Sequence, residues 1–210
     1  MKKNWIAAMV FAFLLIASPG LCRGCSCSYE KDPLKALDMA GVVFAGQVLD
    51  IRQNVHEDRK KGEIYDHRYV VRFQVQQSWK GTDQTEFVVM TSAGGDTACG
   101  FDFQLGESYL VYAYQTNNAN AVEWHTSTCS RTKLLAAASD DLAKLPSGHT
   151  PTQQTDLSDQ MKAYQTSYQM FQARMIYYGY IRPFRLYIAA AFIMALLGGL
   201  FMIFRRRKKS

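Results

Sequence analysis

The nineteen residues from Leu186 to Phe204 carry no charged side chain, and five cations follow them without a gap, Arg205, Arg206, Arg207, Lys208 and Lys209. As a helix such a run spans about 28 Å, close to the thickness of bilayer hydrocarbon. It predicts a transmembrane helix over 186–204 and a basic tail over 205–210. Only Arg182 and Arg185 lie close on the other side. The excess of cations therefore places the tail in the cytoplasm and everything before Arg182 outside, in a single-pass cell-membrane protein.

The opposite end is also apolar but shorter. Lys2 and Lys3 precede the run Trp5 to Ala17, which Ser18, Pro19 and Gly20 break. Thirteen residues are too few to cross a bilayer, and the pattern predicts a secretory signal peptide, taken as 1–24. Small residues at the cleavage positions allow a cut after Gly20 or after Gly24. The second cut removes Cys22 and makes Cys25 the first residue of the mature chain. Of the five cysteines, Cys22, Cys25, Cys27, Cys99 and Cys129, four then remain. An exported chain pairs its thiols, and four cysteines allow three connectivities.

The ends also explain the charge. The chain is formally +6, but the tail holds five cations and the leader three, which leaves residues 25–204 at −2. A slightly acidic folded part with no basic stripe argues against nucleic acid as a partner.

Between the ends, Asp32-Pro33 is a helix start, with a capping carboxylate before a proline at the first helical position, and predicts a helix over Pro33–Ala40. Five runs rich in Val, Phe, Tyr and Trp follow: Val42–Arg52, Ile64–Trp79, Thr85–Ser92, Ser108–Gln115 and Ala121–His125. Their alternation predicts strands, and Gly- and Asn-rich turns separate them. Leu134–Leu145 reads as a helix. Five short antiparallel strands with flanking helices predict a mainly β domain over 25–145, a five-stranded Greek-key barrel of the OB type.

Residues 146–155, rich in Thr, Gln, Pro and Gly, read as a linker. Beyond it Leu157, Met161, Tyr164, Tyr168, Phe171, Met175 and Tyr178 form a heptad-like stripe. They predict a juxtamembrane helix over 156–182 that starts near Asp156 and stops at Gly179 and Pro183. The stripe suits either a homodimer seam or an amphipathic face laid on the membrane or on the chain's own domain. Ala191, Ala195 and Gly199 put small residues on one transmembrane face, where two helices could approach closely.

No enzyme is predicted. His56, His67, His125 and His149 are scattered, with no metal-binding His pair, nucleophile elbow or phosphate loop. His125 reads as a structural histidine beside Trp124, and Trp79 and Trp124 read as barrel core. Asp140-Asp141 and Arg59-Lys60-Lys61 read as solvated charges.

Three segments carry a resemblance. Cys25-Ser26-Cys27-Ser28 looks like the Cys-x-Cys that opens the mature tissue inhibitors of metalloproteinases. Thr97-Ala98-Cys99-Gly100 looks like their Ser/Ala-Val-Cys-Gly segment. Trp124-His125-Thr126-Ser127-Thr128-Cys129-Ser130 looks like their Leu-His-Ile-Thr-Thr-Cys-Ser. In this order, around five strands, residues 25–145 resemble the inhibitory domain of that family, the prototype of netrin-like modules.

The resemblance implies the pairs Cys25–Cys99 and Cys27–Cys129. Each closes a long loop, for about 4–5 kcal/mol of stabilisation at most. It implies that the α-amino nitrogen and carbonyl oxygen of Cys25 chelate the zinc of a target protease and displace its bound water. Ser26 would enter the specificity pocket, and Thr97, Ala98, Cys99 and Gly100 would complete the inhibitory wedge. The chain would need no metal or cofactor of its own, and its partner would be a zinc metalloprotease. The chain departs from the family in lacking its third disulfide and its cysteine-rich C-terminal domain, and in having Tyr29-Glu30 where proline is usual. Other netrin-like modules keep the fold as interaction domains, so a non-inhibitory module that binds another extracytoplasmic protein is the competing expectation.

Overall fold

Asp32 accepts a hydrogen bond from the Leu34 N–H at 3.0 Å and Pro33 takes the first helical position, so α1 (Pro33–Met39) begins where capping chemistry requires. The computed structural model describes residues 25, 27, 28, 30–58, 63–94, 98–118 and 121–207. The signal peptide, Ser26, Arg59-Lys60-Lys61, Thr97 and the last three residues of the tail lie outside them. The chain divides into two compact units, one ending at Met161 and the other beginning at Lys162.

In the first unit six strands form one mixed sheet: β1 (Val42–Asp58), β2 (Glu63–Lys80), β3 (Glu86–Ser92), β4 (Ser108–Asn118), β5 (Ala121–His125) and β6 (Lys133–Leu134). Their order is β1-β2-β3-β5-β4-β6, and β1 also pairs with β4, so five strands close a ring. β1 serves two neighbours. Val42–Gln47 pair with β4, while β2 follows β1 along its length to Asp58. Register shifts after Val43, Ala45 and Val48 bend it between them. Gly46 sits at one shift, where a Cβ would lie 2.7 Å from the Gln74 carbonyl oxygen; only glycine permits that approach.

Two expectations about the sheet are corrected. β1 and β2 are 17 and 18 residues long, not short. The strands are not all antiparallel, because β5 runs parallel to β3 at Met90–His125. β3 does not pair with β4; β4 lies beside β1, and its antiparallel partner β5 takes the place next to β3.

Alternation along β1 and β4 divides the core in two. Val42, Phe44, Val48, Tyr109, Val111 and Ala113 join Val71, Phe73, Phe87 and Val89 inside the ring. Val43, Leu110 and Tyr112 face the other way and pack with Ala36, Ala40, Ala138 and Leu145. The apolar run Val42–Ala45 is therefore buried on both faces, each large side chain contributing about 1.5–3 kcal/mol. Trp124 packs against the first cluster and Trp79 against the second, with Trp79 Nε1 donating to the Pro146 carbonyl at 2.8 Å.

Residues 134–145 are not one helix. Leu134 ends β6, a 3-10 turn covers Leu135–Ala137, and α2 is only Ser139–Leu142. Pairing of Lys133 and Leu134 with Leu110 and Tyr109 competes with the first helical turn.

Residues 146–155 are not a free linker either. His149 and Ser78 exchange two backbone hydrogen bonds at 2.8 Å, beyond the point where β3 stops pairing with β2. Thr85 N–H donates to the Gln153 carbonyl, and Gln153 N–H donates to that of Asp83, both at 2.9 Å. The Thr152 N–H and hydroxyl both donate to the Asp83 carboxylate, at 3.0 and 2.6 Å. Polar composition shows that this segment has no core of its own; its backbone groups find partners on an exposed sheet edge.

The Asp156 carboxylate accepts from Ser158 N–H at 2.9 Å, and α3 (Ser158–Ile176) starts there. Along its stripe Met161 and Phe171 are buried while Met175 and Tyr178 are exposed, so the stripe is not one open seam. Gly179 and Pro183 do not stop the helix. A π-helical turn over Tyr177–Ile181 carries it into α4 (Arg182–Arg207), with Arg182 N–H donating to the Tyr177 carbonyl five residues back. The wider turn absorbs the crowding and the missing N–H of Pro183. The helical stretch Ser158–Gly199 is long and apolar enough to cross a membrane, and Leu186, Ile188, Phe192, Ile193, Met194 and Leu197 are exposed along it.

Candidate functional site

Cys25 is bonded to Cys99 and Cys27 to Cys129, the two pairs the resemblance implies. Together they fasten the N-terminal segment to the two loops that follow β3 and β5. Cys25 and Cys99 are half-buried, Cys27, Ser28 and Ala98 are exposed, and Gly100 is buried. The structure thus brings Cys25 together with Ala98, Cys99 and Gly100. Ser26 and Thr97 of the expected wedge lie outside the described residues.

The two receiving loops are held to each other and to the sheet. Thr128 N–H donates to the Cys99 carbonyl at 3.1 Å, and the Thr128 hydroxyl lies 3.7 Å from Cys27 Sγ. Phe101 N–H donates to Thr91 Oγ1 at 2.7 Å, and Thr126 N–H to the Met90 carbonyl at 2.9 Å. The Thr126, Ser130 and Thr132 hydroxyls form a buried cluster with contacts of 2.6 to 3.1 Å, and Thr126 also donates to the Tyr112 carbonyl.

A second grip lies three to six residues beyond Cys25 and Cys27. Arg131 Nη1 donates to the carbonyls of Glu30 and Lys31 at 3.0 and 2.9 Å. Its Nε and Nη2 form a fork on the Asp141 carboxylate at 2.6 and 2.7 Å. Asp141 is fully buried and also receives Lys133 Nζ at 3.0 Å and the Tyr112 hydroxyl at 3.3 Å. Burial pushes its pKa up, but the hydrogen bonds and charges of Arg131 and Lys133 outweigh burial and hold it below the usual carboxylate value. Burial, with the adjacent Asp141 charge, keeps Tyr112 protonated. The expectation that Asp141 is a solvated charge is therefore corrected: it is the buried anchor of the clamp.

Among the described residues two non-glycine positions have a left-handed φ, Cys99 at 57° and Arg131 at 66°. That region costs an L-residue about 1–3 kcal/mol and persists only where its surroundings impose it. Both positions hold the N-terminal segment, one through a disulfide and one through the guanidinium. Arg131 and Asp141 were missed in the sequence because they stand ten residues apart with no motif between them. One signal was present. Ala138, Asp141, Leu142 and Leu145 occupy the i, i+3, i+4, i+7 positions, which puts the acid on an inward helical stripe.

His125 Nε2 contacts Glu123 Oε2 at 3.2 Å, and Arg68 reaches the same oxygen at 2.7 Å. Burial raises the Glu123 pKa, and the bonds from His125 and Arg68 bring it below the usual value. Among the described residues no group of three or more His, Cys, Asp or Glu side chains is arranged to hold a metal ion. No protein-family model matches the chain, and comparison with curated proteins finds no match.

Proposed function

We propose that this chain is a membrane-anchored domain of the tissue-inhibitor-of-metalloproteinases type, which blocks a metalloendopeptidase with the amino terminus that cleavage after Gly24 exposes. The ring of five strands suits a barrel of the OB type. The basic tail suits a cytoplasmic C-terminus, with the domain outside the cell.

The observation that carries this reading is the double grip on the N-terminal segment, at Cys25 and Cys27 and again at Glu30 and Lys31. A segment meant only to lie on the surface needs no such restraint, whereas a metal-chelating terminus gains affinity from arriving pre-organised. A neutral α-amino nitrogen and the carbonyl oxygen of the same Cys25 close a five-membered ring on a zinc ion. The amine's ordinary pKa of about 7.7–8.0 makes its neutral form accessible near neutrality, and metal binding favours that form further. The exposed Ala98 and the adjoining Cys99 stand beside it as the second half of the wedge.

The test compares two forms of the chain in detergent micelles, one beginning at Cys25 and one with a single alanine added before it. The first should inhibit a metzincin-type zinc endopeptidase. The second should fold with the same disulfides and the same melting temperature but fail to inhibit, because an amide nitrogen is a poor zinc ligand. If neither form inhibits any such protease, the domain is a binding module. If both inhibit equally, the contact lies elsewhere on the domain.

A further inference from the structure

Next to the wedge, the ring of strands has an unfilled end. Ile51 on β1, Tyr69 and Val71 on β2, Thr91 on β3 and the segment Phe101–Gln104 surround a cavity of about 220 Å³. Its floor is fixed. Val71 and Thr91 are fully buried, and Phe103 is locked edge-to-face between Phe73 and Tyr109, with ring centres 5.2 and 4.9 Å away. Asp102 and Gln104 are exposed at its rim. Asp102 is the one charged residue lining the cavity, and it has no hydrogen-bond or ion-pair partner among the described residues. The neighbouring Arg52, Arg68 and Arg72 are engaged with Asp50, Glu123 and Glu86. The wider field has the same sign: all 18 acidic residues of the chain lie within 25–161, against twelve Lys and Arg there.

An apolar, partly aromatic cavity with a single carboxylate at its mouth fits a long apolar stem ending in a cation. It is too small for a drug-sized ligand, and the chain leads into it directly from the exposed Ala98 and the disulfide-bonded Cys99. A polypeptide seated on that edge would present side chains to it. We propose that this cavity takes the side chain of a lysine or arginine carried by a protein partner, with the stem over Ile51, Val71 and Phe103 and the cation at Asp102. The site stands whether or not Cys25 reaches a zinc ion.

The full chain in detergent micelles, labelled for amide NMR, should be titrated with N-acetyl-lysine methylamide and with its uncharged analogue, N-acetyl-norleucine methylamide. The lysine probe should shift Thr91 and Phe101–Gln104 saturably, with a Kd on the order of millimolar. The norleucine probe should bind about fivefold more weakly, and Asp102→Asn should weaken the lysine probe about as much. Asp102 is exposed, so the variant keeps the fold, which the unchanged remainder of the spectrum verifies. A linear, unsaturated response would overturn the proposal, as would equal affinities for the two probes or no effect of Asp102→Asn. Neither result bears on the alanine-extension test of inhibition.

Discussion

Asp141 is where the chemistry of a single residue reaches the proposed site. It is buried with two cations and a hydroxyl on its oxygens, and one of those cations holds the carbonyls of Glu30 and Lys31. Replacing it with Asn leaves Arg131 and Lys133 with an uncompensated charge at a buried position, at a cost of about 3–5 kcal/mol. The native pKa lies below the ordinary value of 3.8, so the charged pair stabilises the fold above that pH and its contribution is lost as pH falls through the native pKa. Chemical denaturation from pH 7 to pH 2 should therefore show wild type losing stability below about pH 4. Asp141→Asn should start lower and fall less, so that the two curves approach each other in acid. A constant gap would mean that Asp141 is not charged in the native state. Hydrogen exchange at Glu30 and Lys31 should speed up in the variant, since the clamp on their carbonyls would be loosened.

At the scale of elements, the segment 146–155 shows how composition can mislead. Thr, Gln, Pro and Gly are the residues of a flexible tether, yet here Asp83, Thr85 and Glu86 meet Thr152, Thr155 and Leu157 in a set of short hydrogen bonds. Proteolysis follows exposed, unbonded backbone, so the strap should resist brief trypsin-free digestion with a broad-specificity protease. Asp83→Ala removes both bonds to Thr152, and Gly148→Val forces a Cβ to within 2.9 Å of the Ser78 carbonyl. The double variant should be cut within 146–155, as mass spectrometry of the fragments would show; equal cutting of wild type would mean that the strap is open in solution. The helix beyond it errs the other way. Gly179 and Pro183 ordinarily end helices, but a π turn over Tyr177–Ile181 spares the backbone group that proline cannot supply.

On the scale of the whole molecule, the apolar side chains of α4 and the run of cations that begins at its end, Arg205 to Lys209, make one joint prediction. Leu186, Ile188, Phe192, Ile193 and Leu197 are exposed among the described residues, and hydrocarbon is a solvent that suits such side chains. In intact cells, an epitope tag after Ser210 should be protected from added protease while a tag at the mature N-terminus is lost. Loss of the C-terminal tag under those conditions would reverse the orientation, and loss of neither would place both ends inside.

Much of this protein is legible along the chain because its causes are local. The charge-free run 186–204, the Asp32-Pro33 cap and the alternation of Tyr69, Val71, Phe73 and Val75 each depend on neighbours within a few residues. Hence the five longer strands were expected within a few residues of where they lie, except that β1 runs on to Asp58. Only the tertiary structure could decide what depends on distant partners. That β5 lies parallel to β3 follows from the pairing of β4 with β1, partners more than 60 residues apart. Whether 146–155 is a tether or a strap is set by which backbone groups of β2 and β3 remain unpaired. That Arg131 and Asp141 hold the N-terminal segment follows from a contact across 100 residues, which no local pattern of charge encodes.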